Sequence, residues 1–189
     1  MSKASQIIVL CEDRLQEVVV RCFLKRGWKK GPRYVRVVPY PHGGSGGSGE
    51  KHVRDSYPNQ LRAYRSRLAK TILIVVIDAD AGSVQAHHQE LDDACRGAQP
   101  VVAPRQDGEA IVHVIPKWHL ETWLAYLDGV NVSEGERYKP MYAFKRRESD
   151  CHSLVDKLAT ACKNGEELSG LPNSLLLACN EFDRIRNML

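Results

Sequence analysis

The sequence predicts an α/β fold, a mainly parallel sheet sandwiched by helices, and three observations predict it. Strand-sized apolar runs alternate with helix-period segments in the order βαβαβαβα as far as Leu127. The run Thr71 to Ile77 (TILIVVI) is apolar along its length, as a central parallel strand covered on both faces should be. After Asp128 the strand signal ends and only helical patterns remain. The expected organisation is therefore an α/β domain over residues 1–127 and a helical extension over 128–189, packed on the sheet rather than standing alone.

Ser5 to Cys11 (SQIIVLC) reads as a buried strand from its β-branched residues. Leu15, Val18, Val19, Cys22, Phe23 and Arg26 then follow i, i+3, i+4, i+7 spacing, and Gly27 is expected to stop that helix. Arg33 to Pro39 (RYVRVVP) is a second strand, and Pro41 to Gly49 (PHGGSGGSG) a glycine-rich loop. Lys51 to Ala69 reads as helix, with Pro58 near a turn or a second helix start. The strong strand at Thr71 follows, then a helix from Ser83 to Arg96, a strand from Ile111 to Ile115 (IVHVI), and a helix over Glu121 to Leu127. Val155 to Cys162 and Ser174 to Ile185 are the helices of the extension.

Composition excludes several classes. The 189 residues are 43% hydrophobic and 26% charged, a globular balance that needs no disulfide or metal to hold a core. No apolar run is long enough to span a bilayer, and the N-terminus lacks a signal-peptide pattern, so a cytoplasmic protein is expected. The six cysteines are scattered without a CxxC pair, which suits a reducing compartment. The charge is uneven. Arg14 to Lys70 holds 14 Lys and Arg against 3 Asp and Glu, whereas Thr71 to Glu121 holds 3 against 8. Such a division suits a metal-dependent site acting on a polyanion, although each charge alone could simply solvate a helix face.

In a parallel sheet, functional groups gather beyond the carboxyl ends of the strands. The first strand ends in Cys11-Glu12-Asp13, the central one in Asp78-Ala79-Asp80, and the last in Pro116-Lys117-Trp118-His119. Asp78 and Asp80, at i and i+2, can turn toward one cation, and Glu12 from a neighbouring strand would complete a set of hard oxygen ligands for Mg²⁺ or Mn²⁺. Aspartates after strands also cap helices, and that role is assigned to Asp13. Lys117 could stabilise charge on a phosphate oxygen. Glu121 could be a further metal ligand or only the i, i+4 partner of Lys117. Gly46 and Gly49 could cradle phosphate, with Lys51 and Arg54 meeting a nucleic-acid backbone, or the loop could be a flexible linker. The adjacent His87 and His88 read as a solvated helix face that shares no metal.

Glu12 at the end of the first strand and Asp78-x-Asp80 at the end of a later one, in a small βα sandwich, resemble the Toprim domain over Ser5 to Leu127. His119-Leu120-Glu121 resembles the extra acidic ligand of nuclease members. The resemblance implies Mg²⁺-dependent phosphodiester chemistry on nucleic acid, with DNA placed before RNA. Glu12 would be a ligand or general acid/base, and Asp78 and Asp80 ligands. It further implies anti-phage defence and an ATPase or helicase partner. Asp13 stands where family members usually have glycine. Two other readings compete. A response-regulator receiver would use Glu12-Asp13, Asp78 and Lys117 for aspartyl-phosphate signalling. A catalytically silent subunit would use the basic segment to bind nucleic acid or a partner.

Overall fold

In a computed structural model, which describes residues 3–31, 34–41, 49–67, 69–138, 148–164 and 170–189, four strands form one parallel sheet. The elements are β1 (Gln6–Leu10), α1 (Arg14–Trp28), β2 (Val35–Val37), α2 (Gly49–Ser66), β3 (Thr71–Val76), α3 (Val84–Gly97), β4 (Ile111–Val114), α4 (Leu120–Leu127), α5 (Glu148–Asn164) and α6 (Asn173–Asp183). The spatial order is β2-β1-β3-β4. Ile7 pairs with Val35 on one side and Ile72 on the other, and Leu73 pairs with Ile111. The chain first moves outward from β1 to β2, then returns past β1 to β3. Right-handed crossovers therefore place α1 on one face and α2 and α3 on the other. The reversal point lies between β1 and β3, where sheets of this kind open a crevice at their carboxyl ends.

Alternation along the strands builds two cores. Ile7, Val9, Ile72, Ile74, Val76, Val112 and Val114 face a cluster with α1, α4, α5 and α6. Ile8, Leu10, Leu73, Val75, Ile77 and Ile111 face Val53, Tyr57, Leu61 and Leu91 of α2 and α3. The segment after Asp128 thus contributes Val155 and Leu158 of α5, Phe182 of α6 and Ile185 just beyond it to the core of the sheet itself.

Two expectations about breaks are corrected. α1 does not stop at Gly27. It runs to Trp28 and ends at Lys29, which takes the left-handed conformation at φ 56°. Gly27 is a packing residue, since a Cβ there would lie 3.3 Å from the Ala159 Cβ of α5. Pro58 neither turns nor starts a helix. α2 continues through it, because Val53, Tyr57 and Leu61 bury one face on the sheet on both sides of the proline. Of the glycine loop expected over Pro41 to Gly49, residues 42–48, Gly46 included, lie outside the described residues, and Gly49 is already the first residue of α2.

Candidate metal and proton-transfer site

Glu12 and Asp78 each lie two residues beyond the end of their strand, β1 and β3, so adjacent parallel strands deliver both to one rim. The Glu12 carboxylate oxygen Oε1 accepts the backbone N–H of Asp78 at 2.6 Å. Gln16, in the first turn of α1, donates its Nε2 to Asp78 Oδ1 at 2.9 Å, and its Oε1 accepts the Glu12 N–H at 2.9 Å. Asp13 caps α1 by accepting the N–H of Gln16 at 3.0 Å, the structural role expected of it. This cap fixes the turn from which Gln16 reaches both acids.

Asp80 joins through a distorted loop. Asp80 and Trp118 both have positive φ, 43° and 62°. They form an isolated antiparallel bridge in which the Asp80 N–H donates to the Trp118 carbonyl at 3.2 Å. Held so, Asp80 faces His119, whose Nδ1 stands 3.3 Å from Asp80 Oδ1 and 3.4 Å from Asp78 Oδ2. The side chains of Asp78 and His119 are 14% and 12% exposed and that of Asp80 is 54% exposed, so the group opens to solvent at Asp80.

Burial dominates the electrostatics. It pushes the Glu12 carboxyl up to about 8, helped by the neighbouring charge of Asp78 and opposed by the Asp78 N–H. Burial also raises Asp78, against the lowering influence of His119. Among the described residues, no lysine or arginine pairs with Glu12, Asp78 or Asp80.

Gly49, the first residue of α2, closes the site from the other side. A Cβ there would sit 2.6 Å from Glu12 Cβ and 3.0 Å from Glu12 Oε2. Only glycine lets the N-terminus of α2 approach so closely. Lys51 is exposed in the next part of that turn.

The remaining residues singled out from sequence have other engagements. The Lys117 ammonium donates to the carbonyls of Asp80, Ala81 and Gly82, the first at 3.2 Å, so it braces the Asp80 loop. Glu121 is buried in the first turn of α4, and the side chain from this segment that reaches both aspartates is His119. Arg54 is held by Glu50 at 3.0 Å and Glu90 at 2.9 Å. His87 and His88 are no solvated face. His87 is buried, with Nε2 3.5 Å from Glu50, and His88 contacts the buried His113 at 3.0 Å. Glu50, His87 and Glu90 offer ligand atoms within 4.8 Å of one another and could hold a metal ion, although Arg54 already bridges the two carboxylates.

Gln16, and the contact of His119 with the aspartates, are functional features that the sequence pattern does not announce. Gln16 had one usable signal, a polar residue inside an apolar helix face, and it proves 2% exposed. No helix among the described residues is long and apolar enough to cross a membrane. The chain matches no family model, no curated protein and no solved structure.

Proposed function

We propose that this chain is a divalent-metal-dependent phosphodiesterase acting on nucleic acid, built on a Toprim-like domain. The observation that carries the reading is the convergence of Glu12 and Asp78, 66 residues apart, within one hydrogen bond, with Asp80 joined through His119. Two neighbouring acids whose proton affinity is raised by burial would gain from a small hard cation drawn between them, although among the described residues only Glu50, His87 and Glu90 already bring three ligand atoms within 4.8 Å of one another. Glu12, Asp78 and Asp80 would hold Mg²⁺ or Mn²⁺, and a ring nitrogen at His119 favours Mn²⁺. When bound, such an ion supplies Lewis-acid polarisation of a phosphoryl oxygen and a more acidic water.

The chain's own groups have complementary work. Gln16 orients Asp78 and Glu12 together. Glu12, pushed up to about 8, can hold or release a proton near neutrality at the oxygen facing Gly49. His119 Nδ1 stands within 3.4 Å of a carboxylate oxygen of each aspartate, where it can orient both. A defence role and an ATPase or helicase companion belong to the same reading. The receiver alternative finds less support, since the Lys117 ammonium engages backbone carbonyls and Asp78 is enclosed.

The test is a metal screen with single- and double-stranded DNA and RNA. Cleavage should require Mg²⁺ or Mn²⁺ and fall at least 100-fold in Asp78→Asn and Asp80→Asn, with the circular dichroism spectrum unchanged. Cleavage that survives both substitutions ends the proposal.

A further inference from the structure

Lys117 is the cation expected at the β4 end of the rim; its ammonium is held by three carbonyls, that of Asp80 among them, and also lies 4.7 Å from the centroid of the Trp118 ring, which places that ring beside the Asp80 loop. Another cation occupies the neighbourhood. The Arg137 guanidinium lies over the Trp118 ring, its Cζ 4.5 Å from the centroid, and Arg137 is exposed. Among the described residues no carboxylate pairs with it.

The ring beneath it is fixed from several directions. The Trp118 backbone bridges Asp80 in the left-handed conformation. The indole Nε1 donates to the Glu134 carbonyl at 2.9 Å. Glu134 is tied in turn to the start of α6, where its Oε1 accepts the Ser174 N–H at 2.9 Å. The Tyr138 hydroxyl accepts the Ser133 N–H at 2.9 Å, and Tyr138 is buried, so the 133–138 turn is anchored on both sides of Arg137. A guanidinium lying on a ring keeps its edge N–H groups free, and its planar fork matches a phosphate.

We propose that Arg137, carried on the Trp118 ring beside Asp80, binds a phosphate of the nucleic-acid backbone as it enters the acidic site. The inference rests on the phosphodiesterase reading and adds to it a substrate-binding residue from outside the α/β core. The strained Asp80–Trp118 bridge gains a reason. It sets Asp80, a ligand of the divalent ion in this reading, and the ring that carries Arg137 in one fixed relation. Trp118 acts through Arg137 as a positioning residue.

The experiment is fluorescence anisotropy of labelled single-stranded 20-nucleotide DNA and RNA with the full chain, Ca²⁺ replacing Mg²⁺, over a series of salt concentrations. Arg137→Ala should weaken binding about tenfold and flatten the log–log salt dependence by about 0.7. Arg137→Lys should recover the slope and only part of the affinity, because lysine keeps the charge and lacks the fork. In a Trp118→Leu background the Arg137→Ala loss should shrink below threefold. Wild-type affinity and slope in Arg137→Ala overturn the inference, and metal-dependent cleavage by the unaltered chain would then leave the phosphodiesterase reading standing. An unaltered chain that neither binds nor cleaves any of these nucleic acids removes both.

Discussion

Gly49 is the residue on which the geometry of the acids depends most tightly. Any Cβ would collide with Glu12, so Gly49→Ala must push α2 or the carboxylate aside. We expect a stability loss of about 1–3 kcal/mol, read by urea denaturation, together with at least tenfold weaker cleavage. His113 gives a second residue-scale prediction. It is buried between Tyr57 and His88, and burial, with Arg105 nearby, holds it well below the ordinary histidine value of 6.5. The folded chain keeps it neutral while the unfolded chain takes up a proton below about 6.5. Stability contributed here is therefore full above that pH and declines as pH falls below it, by up to about 1.4 kcal/mol per unit. Denaturation at pH 5.5 and 7.5 should show a smaller pH difference in His113→Gln than in the unaltered chain. At this scale the sequence was informative where a residue type carries chemistry alone, as with Glu12, Asp78 and Asp80. It was silent where a partner far along the chain decides the role. Arg54 reads as a free cation until Glu90 arrives from α3, and Lys117 until the 80–82 carbonyls fold over it.

Elements were legible where a period was clean. All four strands fall within the apolar runs that announced them, and α1 to α4 follow their apolar stripes. Gly27 and Pro58 misled because local propensity, worth about 1 kcal/mol for glycine and about 3 for proline, lost to packing against α5 and the sheet. Gly27→Leu should separate α1 from α5 and cost about 1–3 kcal/mol in chemical denaturation. The edge of β4 shows a device that no pattern announced. Glu181 of α6 accepts the His113 N–H at 3.0 Å, and Arg105 donates to the Ile111 carbonyl at 3.0 Å while paired with Glu181. These two side chains satisfy edge groups that would otherwise invite another strand. Glu181→Ala would leave the His113 N–H without its acceptor and strip Arg105 of its carboxylate partner, leaving it the Ile111 carbonyl. It should destabilise the chain by about 1–3 kcal/mol and increase aggregation on warming, followed by light scattering.

For the whole molecule, the order β2-β1-β3-β4 decides everything downstream. It sets Glu12 and Asp78 at neighbouring strand ends across the reversal of the winding, and sequence order alone could not have shown that β1 and β3 are paired. The helices after Asp128 complete one face of the sheet, so a chain ending at 127 should expose that face and bind a hydrophobic dye, unlike the full chain. The central claim is that Glu12, Asp78 and Asp80 together hold a divalent cation. Its most direct test is a calorimetric titration with Mn²⁺. The account predicts a bound equivalent that is lost in Asp78→Asn and weakened at least tenfold in Glu12→Gln, yet retained in His87→Ala, which disables the separate Glu50, His87 and Glu90 group. Mn²⁺ binding unchanged in Asp78→Asn, or lost only in His87→Ala, would contradict it.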